Sequence, residues 1–410
     1  MNQRFRLLVV AAEFPYPPNH GGRADIWRRL QMLNRLGCDI CLICWYDDQP
    51  ETRPSVDALA VVQREVSSLQ TLPNQRGFKR NWLRVMQILK GIPSHVAARA
   101  VYGEQRAEIQ RQAKAFAPDA VLLDSLYGGL LALDLSASLN VPLFYRSHNI
   151  EHRYFAGQAA AAQQLRDRMA WSLACLHLGR FEHKIMHSAR VCFDISTDDI
   201  QWWAAQGVKA AQWLPPLSEA AISPPESVDA PPIRELAFLG NLHTPNNVQG
   251  IHWLVEQVMP IVWSLRPQTV LHVAGSRPTE SIKTLFSSSD KLRIYENVPD
   301  VMAFLMNSAV LVNPVLTGSG VNVKTLDMLM TQRPIVSTSQ GVAGLAPQLK
   351  GLCEVADSAH DFACCLVAQL DTPTVDVAKH TAGHPLFGPE VVQSMISRMR
   401  FETINKSSAV

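Results

Sequence analysis

Short runs that are apolar from end to end recur along this chain, each followed by a stretch with helical spacing. That alternation restricts the fold more than any other feature. Arg4 to Ala12, Asp39 to Trp45, Asp119 to Asp124, Val141 to Tyr145 and Val191 to Ile195 read as strands in the first half. Leu236 to Gly240, Thr269 to Ala274, Ile294 to Val298, Val310 to Asn313 and Ile335 to Ser337 do so in the second. A strand without polar alternation is buried on both faces, as in a parallel sheet whose crossovers cover it. Strands alternating with helices give βα units, so the reading is α/β with one parallel sheet in each half. Between the halves, Leu214-Pro215-Pro216, Pro224-Pro225 and Pro231-Pro232 punctuate a segment without periodicity, which reads as a linker. A chain of 410 residues also exceeds one ordinary core. The expected division is 1–216 and 217–387, with a last helix at about 388–404.

The helices follow from the spacing of apolar residues. Ile26, Trp27, Leu30, Leu33 and Leu36 share one face of a helix starting near Arg23, behind a proline-rich loop that holds Gly21 and Gly22. Arg80 to Ile92 is amphipathic, with Trp82, Val85, Met86 and Leu89 on one side. Ala159 to Ser188 predicts one or two helices, and Asp198-Asp199 opens another. Ile251 to Leu265 predicts a strong one.

Hydrophobic content of 47% with 18% charged residues describes a soluble globular protein. No run approaches the length that spans a bilayer, and Leu7 to Ala12 is too short for a signal-peptide core, so a cytosolic protein is expected. Net charge is only +2, yet the first 215 residues carry 25 Lys and Arg against 19 Asp and Glu. Val66 to Gly103 holds Arg76, Lys79, Arg80, Arg84, Lys90 and Arg99 and no acid. Nucleic acid would want a broader excess; an anionic membrane surface met through 76–99 is one expectation, a solvated helix face the other.

Cys38, Cys41 and Cys44 have metal-like spacing, but residues three apart on one strand point to opposite faces. Reduced core thiols are expected. His148, Glu151 and His152 invite a second metal reading, although their order is not H-E-x-x-H. No metal is expected at either place.

The stretch from Val312 to Thr338 carries the chemistry. It reads as strand, glycine loop (Thr317-Gly318-Ser319-Gly320), helix and strand, with Val323, Leu326 and Met330 as the buried stripe. Lys324, Asp327, Met328 and Thr331 fall on an adjacent face. A glycine loop feeding a helix N-terminus offers unpaired amides and a helix dipole to an anion. With one cation and one carboxylate on the first turns, the ligand suggested is a nucleoside diphosphate, Lys324 on the phosphates and Asp327 on the ribose diol. A tight turn carrying a solvent-exposed ion pair is the plainer reading of the same residues. Gly21-Gly22 is not the G-x-G-x-x-G fingerprint, which argues against a nicotinamide enzyme.

This order of residues resembles family 4 retaining glycosyltransferases of the GT-B fold, in the variant whose E-x7-E segment reads G-S-G-x-x-x-K. Ser319 and Asp327 stand at the two acid positions, and the resemblance is strongest from Leu236 to Leu345. It implies two facing Rossmann-like domains with parallel sheets, the terminal helix crossing back to the first. It implies a nucleotide-sugar donor held by Gly21, Gly22, Gly240, Asn241, Asn247, Val298, Gly318, Ser319, Gly320, Val321, Lys324 and Asp327. The loop Asn241-Leu242-His243-Thr244-Pro245-Asn246-Asn247 lacks the Arg and Lys that many relatives carry, so phosphate charge would fall on Lys324 and loop amides. His148 matches the histidine that faces the donor sugar; a structural histidine is the alternative. His148, Lys324 and Asp327 are therefore the expected catalytic residues. The acceptor implied is a glycan or lipid-linked glycan, with no cofactor, in surface polysaccharide synthesis at the inner face of the plasma membrane. The rival reading is a non-catalytic nucleotide-sugar-binding or scaffold protein on the same fold.

Overall fold

The structure, a computed structural model, describes residues 4–19, 21–49, 52–74, 77–162, 164–208, 210–218, 233–318 and 320–407. The chain divides into two compact units, Met1–Leu214 with Val391–Val410, and Pro215–Glu390. Pro224-Pro225, Pro231-Pro232, Arg76 and Ser319 lie outside the described residues.

The first unit begins β1 (Phe5–Ala11), α1 (Gly21–Arg35), β2 (Cys38–Asp47), α2 (Val56–Glu65), β3 (Ser68–Asn74), α3 (Phe78–Leu89), α4 (Ser94–Ala98) and α5 (Gly103–Phe116). It continues β4 (Ala120–Asp124), α6 (Gly129–Leu139), β5 (Leu143–Ser147), α7 (Glu151–Ala161), α8 (Leu165–Cys175), α9 (Leu178–Ser188), β6 (Val191–Asp194), α10 (Thr197–Ala205) and β7 (Ala211–Trp213). All seven strands are parallel, in the order β3-β2-β1-β4-β5-β6-β7. Leu7, Leu8, Val9 and Val10 of β1 are buried on both faces, which is why the run carries no polar alternation. Ser196 caps α10 by accepting from the Asp199 amide at 3.1 Å.

The edge strands β3 and β7 were not legible in the sequence: β3 includes Pro73 and is mostly half-buried, and β7 has three residues. Ala159 to Ser188 gives parts of three helices, not one or two. The breaks fall after Ala161 and at Leu176-His177, where His177 takes a left-handed φ of 62°. The basic segment is less of a surface than its composition suggests. Arg84 Nε donates to the carbonyl and hydroxyl of Ser94, each at 3.1 Å, and Arg99 Nε donates to the Ala12 carbonyl at 2.9 Å. Cys38, Cys41 and Cys44 are buried free thiols on β2.

The second unit has six parallel strands in the order β10-β9-β8-β11-β12-β13. These are β8 (Arg234–Leu239), β9 (Leu271–Gly275), β10 (Leu292–Glu296), β11 (Ser308–Asn313), β12 (Ile335–Ser337) and β13 (Glu354–Val355). The closing helix, Pro389–Ser407, is mostly grouped with the first unit. It buries Val392, Met395, Ile396 and Met399, and its Arg400 guanidinium lies 5.3 Å over the Phe5 ring. Among the described residues no helix is long and apolar enough to cross a membrane.

Candidate functional site

In the second unit the strand order reverses between β8 and β11, and open α/β sheets bind ligands beyond the carboxyl ends of their strands at such a point. Two glycines let the β8 and β9 loops touch there. A Cβ on Gly275 would lie 1.8 Å from the Gly240 carbonyl oxygen, and one on Gly240 would lie 2.8 Å from the Phe238 ring. Polar bonds lock the same loops. Ser276 Oγ donates to Asn241 Oδ1 at 2.9 Å, and Asn247 Nδ2 donates to the Asn241 carbonyl at 3.0 Å.

Asn247 Oδ1 in turn accepts from Lys324 Nζ at 2.9 Å, and that ammonium sits 4.1 Å over the Phe238 ring. Among the described residues no carboxylate lies within ion-pair distance of Lys324. Burial without a counter-ion pushes its pKa down to about 7. An amide oxygen and an aromatic face leave the charge only partly compensated, which suits it to an anion.

The helix bearing Lys324 is short, Val323–Leu329, and is fixed from below. Asn313 at the end of β11 donates to Thr325 Oγ1 at 3.0 Å and to the Gly341 carbonyl at 3.1 Å. Asn322 supplies no side-chain cap to it. The loop before it bends through Gly318 (φ 155°) and Gly320 (φ 71°).

The plainer reading of Lys324 and Asp327 as an exposed ion pair fails here. The helix is buried on most sides, including Thr325 and Met328, so it has no single apolar stripe. Asp327 is 5% exposed and accepts from Ser218 Oγ at 3.0 Å, while Lys324 turns to Asn247. Lys324, Asn247, Asn241 and Gly240 are thus brought together. Val298 lies just past β10, behind Asn297, whose amide donates to the Gly275 carbonyl at 3.0 Å. Val321 is buried beside the loop.

The first unit holds a second cluster, again at the carboxyl ends of strands. His148 follows β5, and its Nε2 is 2.5 Å from Asp124 Oδ1 at the end of β4. Its Nδ1 lies 3.6 Å from Asp25 Oδ2 on α1. Asp25 also pairs with Arg146 Nη2 at 2.6 Å and accepts from Arg29 Nη2 at 3.3 Å. His148 is 15% exposed; the other four side chains are at most 2% exposed. Two guanidinium groups and two carboxylates balance, so the histidine sets the net charge. Burial works against its cation, but Asp124 and Asp25 outweigh burial and Arg146, and the pKa is raised.

The segment after His148 is pinned as well. Glu182, fully buried on α9, accepts from the Glu151 amide at 2.9 Å and the His152 amide at 3.3 Å, and pairs with His152 Nδ1 at 2.6 Å. Tyr127 donates to Glu151 Oε2 at 2.8 Å. His148, Glu151 and His152 therefore turn to three different partners and do not converge. Gly21 and Gly22 form the first residues of α1, one turn before Asp25.

Asp25, Arg29, Asp124 and Arg146 were not singled out from the sequence. The signals were present: an acid closing the apolar strand Val121-Leu122-Leu123, an arginine after Phe144-Tyr145, and Asp25 and Arg29 four apart on one helix.

Residues 233–371 match the family described as Glycosyl transferases group 1. An uncharacterized 44.6 kDa protein in the cps region of Klebsiella pneumoniae is 28% identical over 348 residues, covering 83% of this chain and 84% of that one. Among solved structures, sucrose-phosphate synthase from Thermosynechococcus elongatus is similar with a TM-score of 0.64 and 12% identity, over 98% of this chain and 100% of that chain. Anabaena Alr3699/HepE, solved in complex with UDP and glucose, is similar with a TM-score of 0.61 and 11% identity, over 96% and 99%. A glycosyltransferase from Rickettsia africae gives 0.63 and 11%, over 98% and 99%. The fold is that of GT-B glycosyltransferases, and the family match over the second unit supports a glycosyltransferase.

Proposed function

We propose that this protein moves a sugar from a nucleoside-diphosphate sugar to a glycan or lipid-linked glycan acceptor, with retention at the anomeric carbon, in the synthesis of a bacterial surface polysaccharide. One observation carries the reading: Lys324, a half-buried ammonium with no carboxylate in ion-pair reach among the described residues, held by Asn247 and Phe238 beyond the carboxyl ends of β8 and β11. The relative encoded in a cps region and the solved neighbour that binds UDP point the same way.

On this reading the departing diphosphate lies against Lys324 and the loop amides from Gly318 to Val321, which take up its charge. No metal or cofactor is then required. A phosphate oxygen accepts the acceptor's proton, so the reaction needs no protein base. Asp327, oriented by Ser218, receives the ribose diol and Val298 meets the base; the resemblance assigns Gly21 and Gly22 of the first unit to the phosphates and acceptor. His148 orients and polarises the sugar, while Asp124 and Asp25 hold its ring.

A scaffold reading keeps two observations in its favour: the segment Asn241 to Asn247 contains no Lys or Arg, and Ser319 stands where the resemblance puts an acid. Calorimetric titration with UDP and other nucleoside diphosphates, alongside a turnover assay over a panel of nucleotide sugars, separates the two. Lys324→Ala should weaken diphosphate binding by at least about tenfold, the loss of one charge-assisted bond. His148→Ala should abolish most turnover and leave diphosphate binding nearly intact. Wild-type affinity in Lys324→Ala would remove the donor-site assignment. Diphosphate binding without turnover of any donor would favour the scaffold.

A further inference from the structure

We propose that α3 and α8 form a surface that seats the first unit on an anionic phospholipid bilayer. The inference stands on features separate from the donor site. No residue of α8 is buried, and its Leu165, Met169 and Leu173 repeat every fourth position as one apolar stripe, Leu165 being 72% exposed. Leu176 extends the stripe. On α3, Trp82, Val85 and Leu89 make a second stripe at helical spacing, Leu89 being 75% exposed. Helix α4 packs against both α3 and α8, so the two stripes flank one short helix of the same unit.

Single exposed apolar side chains are ordinary, but two stripes of leucine, methionine and tryptophan on helices that share a neighbour mark a surface that meets something apolar. The charges say what. Val66 to Gly103 contains no acid, and 152–181 carries Arg153, Arg166, Arg168 and Arg180 against Asp167 alone. Since Arg84 and Arg99 are turned to Ser94 and Ala12, attraction falls on the exposed Lys90, Arg166 and Arg168. Apolar stripes edged by cations fit a helix pair lying in the headgroup layer of an anionic membrane. A second copy of the chain fits less well. A two-fold interface would bring the same cationic edges face to face.

The full chain is tested by flotation with vesicles of phosphatidylcholine alone and of phosphatidylcholine mixed with phosphatidylglycerol. Wild type should float with the anionic vesicles, weakly with the neutral ones, and less as salt rises. The triple variant Leu165→Ser, Met169→Ser, Leu173→Ser and the double variant Trp82→Ser, Leu89→Ser should each partition at least about tenfold less, because several buried methylenes are lost. Arg166→Glu with Arg168→Glu should erase the preference for anionic lipid. These side chains are exposed, so unchanged thermal unfolding confirms that the variants are folded. The proposal is overturned if wild type stays unbound, or if the α8 triple variant floats as wild type does. It is equally overturned if light scattering shows a wild-type dimer that the triple variant converts to the 45.5 kDa monomer, since a second copy would then own the surface.

Discussion

At the scale of single residues, Lys324 joins structure to a measurable proton. Its pKa stands at about 7 because burial removes water from the ammonium and, among the described residues, no carboxylate replaces it. A diphosphate bound there as proposed would supply the missing negative charge and raise that pKa, so binding would take up a proton whenever the free lysine is neutral. Below about pH 7 the lysine is already charged and affinity should be flat in pH, apart from titration of the nucleotide's own phosphate. Above it, affinity should fall by up to about tenfold per pH unit. Titrations with UDP from pH 6 to 9, repeated in buffers of different ionisation enthalpy, read both effects; Lys324→Met should abolish the slope. A slope retained in that variant would place the titrating group elsewhere. Asp327 and His148 make the complementary point. Each side chain is held in one orientation, by Ser218 in one case and by Asp124 and Asp25 in the other.

At the scale of elements, the proposed donor site depends on loops packed at backbone distance. The β9 strand ends on Gly275 because the β8 loop, carrying the Gly240 carbonyl, crosses where a side chain would begin. Gly275→Ala must push that loop aside, and with it Asn241, Asn247 and the support of Lys324. Strain of this kind costs about 1–3 kcal/mol. The expected outcome is a lowered melting temperature together with weaker UDP binding. By contrast, Gly157→Ala on α7 meets nothing within 4 Å and should leave both unchanged or slightly raise stability. Unaltered unfolding and UDP affinity in Gly275→Ala would show that the two loops are free to separate. The helix Val323–Leu329 follows the same logic. With only seven residues its stability comes from Asn313, Thr325 and Gly341 beneath it, not from propensity.

At the scale of the whole molecule, buried charge makes the first unit sensitive to pH. Burial pushes Glu151 and Asp194 each up to about 7 and Asp199 up to about 6, and His148 is raised by its carboxylates. Each of these groups holds its proton more tightly when folded, so the folded state binds more protons than the unfolded one, between about pH 4 and 7 for the three carboxyls and only above about pH 6.5 for His148. Stability from these groups is therefore present on the acid side and is lost as pH rises through their folded values. Asp25 acts oppositely: burial opposes its charge, but Arg146 and Arg29 prevail, its pKa is lowered, and its contribution is lost only in stronger acid. Unfolding followed from pH 4 to 8 should show the first unit most stable in mildly acidic solution, with each shifted unit worth about 1.4 kcal/mol. Glu151→Gln keeps an acceptor for Tyr127 and should flatten the decline. A profile unchanged by that substitution would count against Glu151 as a source.

The sequence by itself determined the two α/β halves, the central strands of both sheets and the glycine loop with its lysine. Apolar runs, proline punctuation and helical spacing are local properties, and they survive in a single chain read in order. The resemblance also singled out His148 as a candidate. The tertiary structure alone decided which polar residues are buried and what they face. Asp25, Arg29, Asp124 and Arg146 come from three elements, with Arg146 121 positions after Asp25, and meet only because β1 neighbours β4 and β4 neighbours β5. Lys324 and Asp327 looked like a pair from their spacing, yet the sheet sends one to Asn247 and the other to Ser218. A helical register fixes the direction in which a side chain leaves the backbone; the neighbour it meets is set by topology, which lies beyond the reach of any one segment.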